Sequence, residues 1–439
     1  MKLNYKRTFL VGLAFMSICA FWQMYNNVIP LILNNTFHMN KTLSGTLMAL
    51  DNVLALFLLP LFGKISDRSR NRLGRRMPFI IVGTVSAVVL MMFLPVLDNS
   101  YYESPAEYKI ILFTVVLMML LVAMGLYRSP AVALMPDVTP KPLRSQANAV
   151  INMMGAIGGI IYLIITSFLY SSARVGGLDH VDYVPLFSIV AVIMLVCVGV
   201  LVMTINEPKL AAENMAYEKA HPEQDVASSG GSSTKLPKDV RKSLIFILLS
   251  IFFWFFGYNA VTTWFTTYAE AVWDMALGEA SMCLTVGSVG AIVAYFPIGF
   301  LAAKIGRKKS IMGGVGLLTA CFLFAYIYTL SGGGFSPILY VLFVLVGVAW
   351  AAINVNSLPM VVEMCHSSDV GKFTGYYYTF SMAAQSLTPI VSGAIMERLG
   401  YRPLFLYAAA AVFISFLTMI MVRHGDNKPP APSPAKNAA

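Results

Sequence analysis

The sequence predicts an all-α membrane protein of twelve transmembrane helices in two six-helix bundles. Three observations carry that expectation. Of 439 residues, 58% are hydrophobic and 12% charged, with a mean hydropathy of +0.71; a soluble domain is nearer about 45–50% apolar and about 25% charged. Runs of about 20 apolar residues, the length needed to cross a bilayer, recur along the whole chain. With the N-terminus placed inside, the inner segments hold 25 Lys and Arg and the outer ones 5, with Arg128 alone inside a span. Basic residues collect in cytoplasmic loops. A cytosolic enzyme, a secreted disulfide scaffold and a disordered chain are excluded.

Taken in order, the spans fall near 8–33, 43–62, 77–97, 109–134, 146–170, 184–205, 242–270, 278–302, 309–330, 337–364, 373–396 and 402–422. The first follows Lys2, Lys6 and Arg7; a signal peptide competes there, but the run is too long and no small-residue cleavage site follows it. The net charge of +10 reads as the inside bias of such loops rather than as a nucleic-acid surface. The five cysteines lie scattered, without CxxC or metal-ligand spacing, and read as small apolar packers. No metal and no cofactor are expected.

Residues 206–241 interrupt the pattern, charged at first and then rich in Ser, Gly and Pro, and read as a flexible cytoplasmic linker with room for a short surface helix. They set an N-terminal bundle, 1–205, apart from a C-terminal bundle, 242–422, with a disordered cytoplasmic tail at 423–439. A weak repeat supports the division. Gly63–Arg76 (GKISDRSRNRLGRR) and Gly299–Lys309 (GFLAAKIGRKK) each place a Gly and a short basic turn after the second span of a bundle, and Asp137 and Glu363 end the fourth. Parallel six-helix halves characterise the major facilitator fold.

Pro60–Ile80, PLFGKISDRSRNRLGRRMPFI, resembles the loop signature between spans 2 and 3 of major facilitator transporters. SDR followed by GRR and PFI looks like the sucrose-transporter branch of the glycoside–pentoside–hexuronide:cation symporters. Ser129–Val150 is similar to that group's junction of spans 4 and 5, with Asp137 and Asn148 matching; where sucrose carriers place an Arg shortly before the Asp, Val132 and Ala133 stand here. The resemblance implies that Gly63, Asp67, Arg68, Gly74, Arg75 and Arg76 form a cytoplasmic latch between spans 2 and 11, with Asp67 able to meet the positive end of a neighbouring helix. The alternative is a generic basic loop. Asp137 and Glu363 are assigned to the same cytoplasmic gate.

Charges deep in a bilayer cost about 2.5–3.5 kcal/mol on insertion scales and mark function. Two stand out, Asp51 in span 2 and Arg128 in span 4; all five histidines fall in loops or at ends. The symporter family holds its coupling cation on acidic residues of span 2, and Asp51 matches by helix and role. Burial disfavours a charged carboxylate and a nearby Arg favours it. If Arg128 pairs with Asp51 in one state and with substrate in the other, the proton affinity of Asp51 switches. A static ion pair is the alternative. Sodium wants several oxygen ligands, so a proton is expected.

Trp22, Trp254 and Trp350 lie near mid-depth in spans 1, 7 and 10, where an interfacial belt does not explain them. Polar residues accompany them at helical spacing: Gln23, Asn26 and Asn27; Tyr258, Asn259 and Thr262; Asn354; and, on spans 5 and 11, Asn152, Tyr377 and Gln385. Such groups cannot face hydrocarbon. They either glue helices together or line a wet cavity on spans 1, 4, 7 and 10. Amides, hydroxyls and rings without surplus charge suit a sugar. The expectation is a monomeric carrier in the cell membrane, both termini cytoplasmic, bringing a neutral di- or oligosaccharide or glycoside in with a proton by alternating access. A sodium symporter, an uncoupled facilitator and an exporter of small molecules are the alternatives; an enzyme is not expected, since no deep catalytic cluster exists.

Overall fold

The computed structural model describes residues 3–140, 143–220, 237–332, 334–364 and 370–426. They form helices joined by short connections, with no strand among the described residues. In chain order the helices are α1 (Tyr5–Leu31), α2 (Lys41–Asp67), α3 (Met77–Glu103), α4 (Glu107–Val138), α5 (Arg144–Leu169), the single turn α6 (Ser172–Val175), α7 (Val184–Thr204), α8 (Glu207–Ala220), α9 (Lys238–Trp273), α10 (Leu277–Ile305), α11 (Arg307–Leu330), α12 (Ile338–Val362), α13 (Val370–Leu399) and α14 (Leu404–Ile420). All but α6 and α8 coincide with the twelve expected spans. Ten are long and apolar enough by length and composition to cross a membrane, and α14 is apolar but 17 residues long. The remaining one, α13, carries many hydroxyls and packs against α2 and α9.

Local sequence explains the ends. Asn4 and Asn40 cap α1 and α2 by accepting backbone N–H groups. Gly306 turns from α10 into α11 at φ +96°, a conformation that a side chain strains. The chain leaves α1 through a π-helical turn at Ile32–Thr36, which carries it over to α2.

Burial concentrates in two cores. One gathers residues from Leu3 to Ile205 together with Leu277, and the other residues from Leu244 to Val422. Leu284 of α10 packs against both. Across the halves α2 lies on α13, α5 on α10 and α1 on α9. The approaches are very close: a Cβ added at Gly393 would lie 2.5 Å from the Lys41 carbonyl oxygen, and one at Gly278 would lie 2.6 Å from the Tyr170 backbone. Small residues let helix backbones touch in this way.

The linker holds the short helix its composition allowed, and the start of the tail is bonded to the C-terminal bundle. Residues 207–220 form α8, which docks on α4, where the Asn214 amide donates to the carbonyls of Pro136 and Asp137. The tail is pinned over its first residues. The ring Nδ1 of His424 shares a hydrogen bond with Ser243, and the Asp426 carboxylate accepts the Arg307 N–H. The rest of the linker, 221–236, and of the tail, 427–439, lie outside the described residues.

Candidate functional site

Between the halves, α1, α5, α9, α10 and α12 enclose a cavity of about 410 Å³, and among the described residues no acidic or basic side chain lines it. Its aromatic walls face each other from opposite halves. On one side stands Trp22 of α1, edge-on to Phe21 and Tyr25. On the other, Tyr258 of α9 stacks on Trp350 of α12 with ring centroids 3.8 Å apart and planes 7° from parallel, and Phe255 buttresses Trp350 edge-on. The polar lining is Gln23 and Asn26 from α1, Thr262 from α9, and Ser288 and Tyr295 from α10. The Trp22 indole N–H is buried without a hydrogen-bond partner. A stacked aromatic floor with amides and hydroxyls around it can hold a neutral polyol by stacking on its C–H faces and bonding its hydroxyls.

Of the residues singled out from sequence, the structure brings Trp22, Gln23, Asn26, Tyr258, Thr262 and Trp350 to this cavity. Others lie elsewhere. Asn27 is buried behind Gln23, to which its amide donates, and its own carbonyl accepts from Thr266. Trp254 is sealed in the C-terminal core. Asn259 and Gln385 donate to carbonyls one turn back on their own helices, Phe255 and Ser381, and the Tyr377 hydroxyl bonds the Ser357 hydroxyl across to α12. Asn152 and Asn354 are exposed away from the lining. Identical i, i+4 spacing thus served two ends: one stripe of α9 reaches the cavity at Tyr258 and Thr262, while Thr266 bridges to α1.

Span 4 is absent from the lining, and α5 and α10 stand in its place. Their signal in the sequence was glycine rather than polarity. Gly155 and Gly159 of α5 and Gly287 of α10 border the cavity, and Gly347 of α12 packs so close to α10 that a Cβ would lie 2.0 Å from the Gly287 carbonyl oxygen. Arg128 and Asp51 face one another's neighbourhood in a separate narrow crevice between α2 and α4, bordered by Trp22. The Asp51 carboxylate accepts from the Asn52 amide at 2.8 Å, and no ion pair joins it to Arg128. The Arg128 guanidinium lies instead over the Trp22 ring, 5.8 Å from its centroid. The expected contact of Arg128 with the cavity is therefore corrected, because the Trp22 ring stands between the two.

The basic-loop motif forms a closed network. Arg76 is buried and bonds Asp67, Asp137, the Ser66 hydroxyl and the Gly63 carbonyl. Arg75 pairs with Asp137 at 2.8 Å. Gly74 has φ +112° and lies against the carboxylate of Glu207. That carboxylate, 1% exposed, accepts the backbone N–H groups of Arg75, Arg76 and Met77 at 2.9 Å. Arg68 is exposed and only ends α2. The expected meeting of Asp67 with a helix N-terminus at the latch falls on the start of span 11, whose first residues lie outside the described set. Asp67 pairs with Arg76, and Glu207, which composition placed in a linker, meets the positive end of α3. Between described residues the network closes inside the N-terminal half and makes no latch to α13; residues 365–369, at the start of span 11, lie outside the described set.

The C-terminal half repeats the arrangement. Gly306 matches Gly74, Arg307 pairs with Glu363 as Arg75 does with Asp137, and Asp426 receives the Arg307 N–H as Glu207 does those of α3. Glu207 and Asp426 each follow the last helix of their bundle.

At the opposite end the halves are bonded together. The Glu397 carboxylate accepts from the Asn40 amide and from the hydroxyl and backbone N–H of Thr42. Lys41 donates to the Met396 carbonyl and lies 3.9 Å over the Tyr401 ring. Asn35 donates to Glu270 at 2.7 Å, and Ser172 to Glu279. Between described residues, the hydrogen bonds that join the halves all lie here or one turn deeper, at Asn27 and Thr266.

Comparison with known proteins follows the same lines. The family profile described as Major Facilitator Superfamily matches residues 11–273 and 272–439. The chain belongs to the major facilitator superfamily. An uncharacterised MFS-type transporter of Schizosaccharomyces pombe is 32% identical over 151 residues, which span 34% of this chain and 32%, about a third, of that relative. The structure of a D-xylose–proton symporter superposes with a TM-score of 0.67 at 14% identity, covering 96% of this chain and 98% of the other. That of the nucleoside transporter NupG gives 0.65 at 15% identity, with 95% and 100% covered. At these identities the likeness is one of fold. This major facilitator protein is a multi-pass membrane protein.

Proposed function

We propose that this transporter is a proton-coupled symporter of a neutral sugar, a di- or oligosaccharide or glycoside, in the manner of the sucrose-like branch of the glycoside–pentoside–hexuronide:cation symporters. The observation that carries the reading is a cavity free of charged side chains, with facing aromatic walls and Gln23, Asn26, Thr262 and Ser288 between them. Its volume of about 410 Å³ falls among ligand pockets, which run from about 300 to 1,000 Å³. An anion would find no basic partner on those walls, and a lipophilic cargo would leave the amides without bonds. The D-xylose–proton symporter among the solved structures gives the same combination of cargo and cation on this fold.

Asp51 is the proton carrier in this reading. It is one carboxylate with one amide beside it, a donor set too small for sodium. The two bundles, 1–205 and 242–422, are the bodies that rock about the cavity, joined by 206–241. With both termini cytoplasmic, the bonded seam at Asn40–Glu397 is the outer gate, and this form of the molecule is shut to the outside.

Uptake of a labelled sugar panel into proteoliposomes, with pH and sodium gradients imposed separately, tests the proposal. Accumulation of a neutral sugar driven by the pH gradient alone is the expected result. Asp51→Asn then abolishes accumulation and leaves exchange intact. A response confined to amino acids, drugs or anions overturns the sugar reading, and a sodium requirement overturns proton coupling.

A further inference from the structure

Among the described residues, Trp22 is the one side chain that borders both the cavity and the Asp51–Arg128 crevice. One side of the indole belongs to the cavity wall, and Arg128 lies over its ring. Its N–H is buried and without a hydrogen-bond partner. In the crevice Asp51 is bonded to Asn52 with no ion pair to Arg128, whose guanidinium lies over the indole ring.

We propose that Trp22 transmits the protonation state of Asp51 to the sugar cavity, through Arg128. This rests on the function proposed above and adds the residue that links its two sites. With a proton on Asp51, Arg128 has no anion to pair with and settles on the indole. That contact fixes the ring as the cavity wall. When Asp51 loses the proton, the new carboxylate draws Arg128 away, and the indole is no longer held. Binding free energies are reciprocal: if the proton orders the wall for the sugar, the sugar tightens the hold on the proton. Both ligands are then favoured together, as symport requires. The other titratable groups at this spot are the Tyr25 phenol of α1, which faces Asp51, and the Cys19 thiol of α1, beside Arg128; among the described residues no charged group of α13 acts on Asp51.

The test is sugar affinity as a function of pH in purified protein, for the wild type, Trp22→Phe and Trp22→Leu. The wild type is expected to bind sugar at least about tenfold more tightly at pH 5.5 than at pH 8.5, roughly 1.4 kcal/mol. Trp22→Leu loses the cation–π contact and the N–H, and its affinity becomes the same at both pH values. Trp22→Phe, which keeps an aromatic face, retains part of the pH dependence and guards against a folding defect in the Leu variant. A merely structural Trp22 lowers affinity equally at every pH; a Trp22→Leu or Trp22→Phe variant that keeps the full wild-type slope overturns the inference. A wild type that binds no sugar, or binds it with no pH dependence, overturns the proposed function instead.

Discussion

Gly45 of α2 lies flat on the carbonyl oxygen of Pro389 in α13: a Cβ at Gly45 would sit 2.1 Å from it. No side chain fits there, so the seam closes only because residue 45 has none. Gly45→Ala is expected to hold the halves apart at this end. An impermeant maleimide added to right-side-out vesicles then labels Cys19, which lines the cavity, several-fold faster than in the wild type. Cys19→Ser in the same background is the control. Unchanged labelling shows that the seam is not a gate.

Glu397 reaches across the same seam to the first turn of α2. Charge-assisted bonds to an exposed helix N-terminus weaken in salt. Glu397→Gln is expected to raise the population of molecules open at this end, read as a longer donor–acceptor distance between fluorophores on α2 and α13. Raising the salt concentration does the same to the wild type and little to the variant. A salt response that is equal in both removes Glu397 from the gate.

Glu207 is buried and bonds three successive N–H groups of α3. Glu207→Ala leaves them without an acceptor, which costs about 1–3 kcal/mol. The measurement is thermal unfolding in detergent, where Tm falls; Glu207→Gln, which still accepts, falls less. Gly74→Ala is expected to be at least as harmful, since a Cβ there would lie 2.3 Å from the Glu207 carboxylate on a backbone at φ +112°. A Glu207→Ala variant as stable as the wild type would show that water replaces the cap.

The Tyr258–Trp350 stack gives a fourth expectation. Tyr258→Ala strips the support from one face of Trp350 and should weaken sugar binding roughly two- to tenfold, since an aromatic pair adds about 0.5–1.5 kcal/mol beyond its buried area. Tyr258→Phe keeps the ring and changes affinity little. Quenching of Trp350 fluorescence by the sugar measures both. Equal losses in the two variants would assign the effect to the phenol hydroxyl instead of the stack.

The spans were legible because hydropathy is a local property: each apolar run must cross the bilayer whatever its neighbours do. The repeat was legible in part. Gly74 with Gly306, and Asp137 with Glu363, share a position within their bundles, but Glu207 and Asp426 looked like linker and tail. Nothing in a charged stretch announces that its carboxylate caps a helix three segments away. The cavity was half legible for a similar reason. Trp22, Tyr258 and Trp350 are large groups at mid-depth and draw attention, whereas Gly159 and Gly287 contribute by having no side chain at all. Asn259 shows the reverse case, a polar residue whose amide bonds the Phe255 carbonyl of its own helix.

By itself the sequence determined a membrane protein built of apolar spans in two bundles, and the large aromatic and amide residues that stand at mid-depth in them. Periodicity and charge fix these because each acts within one helix or one loop. Which side of Trp22 faces the cavity and which faces Arg128, that α5 and α10 rather than α4 close the site, and that the seam runs through Gly45 and Pro389 were decided only by tertiary structure. These depend on how close two backbones come and how each helix is rotated about its axis, quantities that follow from packing against distant residues and that no single segment encodes.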